Sequence, residues 1–380
     1  MKKISLFEPN IGNLEKKFVV RSINENQISS YGYFTNLFEK EIKKITLSKY
    51  NLATSSGSSA LFVALKSMGI KKDEIVLTQS YTFTGTTNAI ILNNSLPLLL
   101  DISKENLNLD LDNLEKFLKV STFKKGKNTF HKASKKKISC ICLVFTLGII
   151  PDLIHVKKIS KKYNLKILFD AACALGHKYF NKRLTDFCDV AIYSMNGSKN
   201  ITSGAGGVIS TEKFKYYDFA SKFSNNGKIL NAYDYKMIGF NLKMSSLNAA
   251  VGLAQLKRFS YFFKKKKQIR DSFSKQLNPI KLFNTKFEWG EYLPWLNFCI
   301  LSSKNKRDQI IKALRKNNIL ASKFWLPMHK QTTKKSFLLT KFKNTQFIYE
   351  RILVLPSSTF LNLKDINKIC KIIKNNYFQK

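Results

Sequence analysis

Short apolar runs alternate with amphipathic stretches from about residue 50 onward. "EIVLTQ" (74–79), "LPLLLDI" (96–102), "ISCICLVF" (138–145), "KILFD" (166–170), "DVAIYS" (189–194) and "GVIST" (207–211) are apolar enough to predict strands buried on both faces. Between them, "SSALFVALKSMG" (58–69), "TTNAIILNN" (86–94), "LDLDNLEKFLK" (109–119) and residues 152–163 carry helical spacing. That alternation predicts an α/β domain with a mostly parallel central sheet covered by helices. Beyond about 212 the texture changes. A long helical stretch at 244–270 is expected to lead away from the sheet. "LPWLNFCIL" (293–301), "KRDQIIKALRKNN" (306–318), "RILVLP" (351–356) and a helix near 364–377 predict a smaller C-terminal α+β domain. A chain of 380 residues with 44% hydrophobic content can bury one large core and one small one, so the expected division is 1–250 and 251–380. The first 50 residues are expected to lean on the large domain or on a partner subunit.

Charge changes the picture less than its size suggests. The formal net charge of +40 invites contacts with nucleic-acid phosphates, but only seven of the 65 basic residues are Arg. Arg is the better fork for phosphates and base edges, and no helix-turn-helix, finger or RNA-binding signature accompanies the charge. A basic nucleic-acid binder therefore stays as a distant alternative, with nonspecific polyanion contacts the most that is expected. The densest basic runs, 123–137 and 262–270, are expected as a solvated loop and a solvated helix face. "MKKISLFEPNIGNLEKK" has no apolar signal core and no apolar run approaches roughly 18 residues, so neither export nor a membrane span is predicted and the cytoplasm is the expected location. The six cysteines lack the paired spacing of a metal site; most of them read as reduced core thiols, and no metal is expected.

Open α/β sheets bind ligands at the carboxyl ends of their strands, which directs attention to four segments. In "ATSSGSSAL" (53–61), Gly57, Ser58 and Ser59 lead into a helix and so offer an anion site of free N–H groups and hydroxyls. In "YTFTGTTNA" (81–89), Phe83 can lie on a flat cofactor. In "ILFDAACALG" (167–176), Asp170 closes an apolar strand and must find a partner. The fourth segment, "YSMNGSKNITSGAGG" (193–207), holds Ser194 and Lys199 in a loop of small residues. Each has an ordinary alternative: an N-cap serine, a core phenylalanine, a structural acid, a surface lysine. Taken together, a lysine that can lose its proton and attack a carbonyl, a carboxylate, a stacking ring and a phosphate cradle are what pyridoxal phosphate requires.

In order and spacing, "SSGSSAL", "TFTGTTNA", "DAACALGHKY", "YSMNGSKNITSGAGG" and "GFNLKMSSLNAAVGLAQL" resemble the DegT/DnrJ/EryC1/StrS family of pyridoxal-phosphate (PLP) sugar aminotransferases, from "ISSYGYF" to "LVLPSSTFL". The "NGSKNIT" form is most similar to the branch acting on C4 of nucleotide-linked keto-sugars in bacterial surface-glycan pathways. The resemblance implies a fold-type I architecture and a homodimer with shared sites. It also implies an amino-acid donor such as glutamate, and a cofactor cycling between PLP and its pyridoxamine form. By position, it makes Lys199 the residue that bonds the cofactor as a Schiff base and shuttles protons. Asp170 becomes the partner of the pyridinium nitrogen and Phe83 the stacking ring. Ser58, Ser59 and Ser194 become phosphate ligands, with Asn241 reaching the phosphate from the partner subunit. His329, in "LPMHK", falls near the sugar-binding side.

Several residues depart from the family pattern. Cys173 stands where Gln, Glu or His is usual near the cofactor's phenolic oxygen. Lys243 replaces a common Arg, Asn248 a common Gln, and Thr146 a frequent strand-end His; the segment 120–137 is longer than usual. A PLP-binding sensor or pseudoenzyme therefore remains an alternative. So does a pyridoxamine-dependent sugar dehydratase of the same fold, although that branch carries His in place of Lys199.

Overall fold

The computed structural model describes residues 3–228, 235 and 237–378. Helices α1 (Asn13–Asn24) and α2 (Tyr33–Thr46) lead into strand β1 (Tyr50–Thr54) and helix α3 (Gly57–Ser67), followed by β2 (Ile75–Gln79), α4 (Thr84–Leu92), β3 (Leu96–Leu100) and α5 (Leu111–Ser121). A hairpin, β4 (Thr122–Lys125) and β5 (Asn128–His131), precedes β6 (Lys137–Val144), α6 (Leu153–Tyr163), β7 (Lys166–Asp170), β8 (Val190–Ser194), β9 (Gly207–Thr211) and α7 (Phe214–Phe223). The C-terminal part runs through α8 (Ser246–Lys257), α9 (Phe259–Leu277), β10 (Lys286–Phe287), β11 (Gly290–Glu291), β12 (Phe298–Ile300), α10 (Lys304–Lys316), β13 (Leu338–Leu339), α11 (Lys343–Arg351), β14 (Ile352–Val354) and α12 (Leu363–Phe378).

The central sheet has the order β1-β9-β8-β7-β6-β2-β3-β13, with β9 antiparallel to both neighbours and the other pairings along that path parallel. It is the mixed, mostly parallel sheet that the apolar runs predicted. Its strands are buried on both faces because alternate side chains enter different cores: along β6, Ile141 and Leu143 join one cluster while Cys140 and Cys142 join the other. A third cluster, built by Ile269, Phe273, Leu314, Ile369 and their neighbours, also takes in Ile4 from the N-terminal arm. All six cysteines are free, and five of them are buried. Among the described residues, no helix is long and apolar enough to cross a membrane, and no group of His, Cys, Asp or Glu is placed to hold a metal ion.

Four expectations change. The basic segment 120–137 is not a solvated loop: β4 and β5 form a hairpin that β5 joins to β6, with Phe123 and Phe130 stacked at 5.6 Å and Gly126 at φ +59° in the turn. Lys-rich sequence hides the alternation there. The stretch 244–270 is two helices rather than one, since Arg258 closes α8 and opens α9. Its guanidinium is drawn to the N-terminal arm, reaching Glu15 Oε1 at 2.8 Å and Asn10 Oδ1 at 2.8 Å. The basic face of α9 is not wholly solvated, because Lys266 lies on the buried stripe with Phe262, Ile269 and Phe273. Finally, the apolar run 293–301 yields only the three-residue strand β12, which pairs with β14 outside the main sheet.

The parallel order sends the carboxyl ends of β1, β2, β6, β7 and β8 to one rim. Gly207, the first residue of the reversed strand β9, sits on that rim between Thr54 and Ser194. A Cβ on Gly207 would lie 2.3 Å from the Ser56 carbonyl oxygen and 2.8 Å from the Gly57 nitrogen, so only glycine lets the start of α3 press against β9. Gly207→Ala is expected to lower stability by about 1–3 kcal/mol, as overpacking against backbone does. A urea midpoint equal to that of the parent protein would show that the turn moves aside freely.

Candidate active site

A cavity of about 390 Å³ opens on this rim. Of the residues singled out in the sequence, Gly57, Ser58, Phe83, Asp170, Cys173, Ser194 and Lys199 line it. Asp170 ends β7 and is 5% exposed. Its Oδ2 accepts a hydrogen bond from Thr86 Oγ1 at 2.7 Å, and its Oδ1 accepts one from the Ala172 N–H at 3.3 Å. Burial pushes the Asp170 carboxyl above its ordinary range, against the opposing pull of Thr86, the Ala172 N–H and the Lys199 charge. The apolar strand delivers the acid to a place where, among the described residues, no cation is in hydrogen-bond contact with it.

Lys199 rides on a loop pinned at its base, where Met195 N–H donates to Gly206 O at 2.8 Å and Ser203 N–H to Met195 O at 2.9 Å. Asn248 adds a tie, its Nδ2 donating to Ser203 O at 2.7 Å. The Lys199 Nζ lies 3.1 Å from Cys173 Sγ and 4.1 Å from the centroid of the Trp295 ring. Burial raises the Cys173 thiol, more than the neighbouring Lys199 charge lowers it, so this neighbour is a neutral thiol rather than a counter-ion.

The opposite wall is the N-terminus of α3. Ser56 caps it, its Oγ accepting from the Ser59 N–H at 3.0 Å, while the Ser59 Oγ is 2.8 Å from Ser56 Oγ. Ser59 is thus engaged in the cap and does not line the cavity, whereas Gly57 and Ser58 do. A Cβ on Gly57 would come within 3.0 Å of the Ser194 Cβ, so the bare glycine leaves a hollow between the helix start and Ser194. Helix N–H groups and serine hydroxyls converging on such a hollow suit a bound anion. Phe83, the N-cap of α4, is 58% exposed and turned to the cavity instead of being packed in a core.

Two singled-out residues lie elsewhere. Asn241 is exposed and bridges to Asn225. His329 has its ring stacked on Phe342 at 4.2 Å, with Nδ1 2.6 Å from Ser80 Oγ; burial pushes its imidazole down to about 4, so it is a neutral packing residue beside the site. Thr146 is buried, accepting from Gln79 Nε2 at 2.7 Å. The site also contains residues that sequence reasoning passes over. Thr86 holds Asp170, and its one signal is its place one turn after Thr82, whose Oγ1 is 2.8 Å away. Phe7, Trp295, Phe324 and Trp325 form an aromatic wall gathered from distant segments, and no local pattern announces it.

These residues fit pyridoxal phosphate. The anion hollow at Gly57 suits the phosphate, the buried acid suits the ring nitrogen, Lys199 supplies an amine for the aldehyde, and Phe83 supplies a ring. Comparison with known proteins agrees. The chain is 26% identical to the GDP-perosamine synthase of Escherichia coli O157:H7 over 381 residues, covering 100% of both chains. It is also 26% identical to that of Vibrio cholerae over 384 residues, covering 99% of each. The fold matches Helicobacter pylori PseC, an aminotransferase involved in pseudoaminic acid biosynthesis, with a TM-score of 0.87 over 99% of each chain at 23% identity. The model of the DegT/DnrJ/EryC1/StrS aminotransferase family matches residues 9–374, and the chain belongs to this family of PLP-dependent sugar aminotransferases.

Proposed function

We propose that this enzyme moves an amino group from glutamate to C4 of a nucleoside-diphosphate keto-hexose, yielding an amino sugar for a surface glycan, and that it works as a homodimer. The observation that carries the reading is one cavity holding the Lys199 amine, the buried Asp170 carboxylate and the open N-terminus of α3. The perosamine synthases, whose names specify a GDP-linked sugar, support a nucleotide-linked acceptor. The "NGSKNIT" loop supports C4.

When bound, pyridoxal phosphate supplies an aldehyde and an electron-withdrawing ring. The chain's own residues do the rest. Gly57, Ser58 and Ser194 would hold the phosphate through N–H and hydroxyl donors, fixing one end. Asp170 would face the ring nitrogen and favour its protonated form by charge, with Thr86 keeping the carboxylate oriented. Lys199 would hold the cofactor covalently and, once displaced by the donor, take and return a proton at Nζ. Phe83 and the aromatic wall exclude water from the reacting end. Asn241, exposed in its own subunit, is taken to complete the phosphate site of the partner.

The decisive experiment incubates the purified enzyme with glutamate and a panel of GDP-, UDP- and dTDP-linked 4-keto and 3-keto hexoses, scoring amino-sugar formation by mass spectrometry, with Lys199→Ala as the blank. One 4-keto sugar nucleotide is expected to turn over. Turnover only of 3-keto sugars would overturn the C4 assignment, and turnover in the blank would remove Lys199 from the chemistry.

Asp170 generates a second expectation with a definite sign. Its folded-state pKa is raised, so the cofactor-free protein loses stability as pH rises from the ordinary carboxyl value through the folded value. Cofactor-free Asp170→Asn should therefore be more stable than wild type at pH 7, with the difference shrinking as the pH falls toward about 3.8, while turnover of the loaded enzyme falls severely. Urea titrations at several pH values, without cofactor, give the first reading. Equal stability at both ends of the range would mean that the carboxylate is compensated in place.

The shared site can be tested by mixing lesions. Co-expressed Lys199→Ala and Asn241→Asp chains form heterodimers in which one site carries both changes and the other neither, so activity should reappear from two inactive parents. Heterodimers that form yet stay inactive would leave Asn241 outside the partner's site.

A further inference from the structure

In this reaction class the site amine must release the cofactor and yet remain beside it, although a lysine side chain has wide rotamer freedom. Among the described residues, Lys199 Nζ touches two groups: the Cys173 Sγ at 3.1 Å and the face of Trp295 at 4.1 Å. Neither is a carboxylate or a carbonyl. We propose that Trp295 is a positioning residue for the Lys199 amine, holding it by the indole face whenever it is not bonded to the cofactor, and that buried Lys266 fixes the backbone from which the indole hangs. The inference rests on Lys199 being the residue that carries the cofactor.

The chemistry of the contact suits the task. An aromatic face attracts an ammonium group or a neutral amine N–H, and the attraction at this distance is well within the range of cation–π contacts. A carboxylate in the same place would form a charge-assisted hydrogen bond and lock the amine as an ammonium ion, unable to attack a carbonyl. Sulfur and ring are soft neighbours that hold without locking.

The ring itself has little freedom. Trp295 N–H donates to Leu147 O at 2.7 Å and its Nε1–H donates to Ser198 O at 2.6 Å. Ser198 immediately precedes Lys199, so one indole grips both the loop backbone and the amine that the loop presents. Phe324 stacks on the ring at a centroid distance of 5.9 Å. The Trp295 carbonyl accepts a hydrogen bond from Lys266 Nζ at 2.8 Å. Lys266 is 8% exposed, and burial pushes its ammonium down to about 7, a cost that a residue merely filling space on α9 would not incur.

The test uses covalent attachment instead of turnover. PLP is added to cofactor-free protein and bond formation is followed by stopped-flow absorbance. In parallel, the Kd of 4-deoxypyridoxine phosphate, which has no aldehyde, reports the phosphate and ring subsites alone. Trp295→Phe keeps a face but gives up the Nε1–H bond to Ser198 O, so its attachment rate is expected to fall between those of wild type and Trp295→Leu. Trp295→Leu is expected to slow attachment by about three- to thirtyfold, with the analogue's Kd changed by less than about twofold. Lys266→Met should act in the same direction, by at least about twofold. Attachment at the wild-type rate in Trp295→Leu overturns the proposal. So does a slowing in which Phe and Leu are alike, or one matched by loss of the analogue, since both mark general damage to the pocket. If Trp295→Leu does not fold, Lys266→Met decides: a wild-type rate there overturns the proposal. Lys199→Ala should bind the analogue without any covalent attachment; attachment in that variant would instead overturn the assignment of Lys199.

Discussion

Everything in the site depends on the direction of the strands. Because β1, β2, β6, β7 and β8 run the same way, their carboxyl ends reach one rim, and each delivers a different group there: the start of α3, Phe83, Phe145, Asp170 and Ser194. The reversed strand β9 makes the loop between Ser194 and Gly207 leave and return on that same rim, which is why a lysine in the middle of it faces the cavity. A parallel connection there would have carried the chain to the far end of the sheet. The close approach at Gly207 then sets the helix dipole of α3 beside the loop, so the anion hollow and the amine are neighbours by construction.

Two of the buried ionisable residues, Asp170 and Lys266, are handled differently. Asp170 is ionisable, buried and held by a hydroxyl and a backbone N–H, without a cation in hydrogen-bond contact among the described residues. That arrangement weakens the ligand-free fold, and under the proposed function it would offer a counter-charge to a ring nitrogen, the usual tension between stability and function. Lys266 is also buried, but its ammonium is given a backbone carbonyl. Under the proposed function the first would meet a ligand's charge, whereas the second is satisfied within the protein.

How much of the fold and site is legible in the sequence depends on the range of each interaction. Period-two and period-3.6 patterns are local, so the six strands between 74 and 211 and the helices between them can be read directly. The position of Lys199, Asp170, Ser194 and Gly57 at strand ends is legible for the same reason, since the strand before each is a local signal. Lys266 is misleading because its burial depends on what packs against α9, whereas its sequence, four lysines in a row, resembles a solvated face. The hairpin at 122–131 is hidden by lysines on its exposed positions, although Phe123 and Phe130 mark its paired rings. The aromatic wall is out of reach altogether: Phe7, Trp295 and Trp325 come together only through tertiary packing, and aromatic residues are common enough in this chain that none stands out.

Cys173 bears on both the lysine and the acid. The family pattern usually places a polar or ionisable side chain there, and a thiol held neutral by burial changes what the lysine amine meets. With Cys173 on one side and Trp295 on the other, the amine has no hydrogen-bonded counter-ion among the described residues, and its charge reaches Asp170 only through space. The acid therefore answers to two neighbours from one position. Under the proposed function it would favour the proton on a ring nitrogen, and the Lys199 charge opposes the rise that burial imposes on its own carboxyl. What this strand-end carboxylate could do for a bound ring therefore depends on the Thr86 hydroxyl and the Ala172 N–H, which set its orientation.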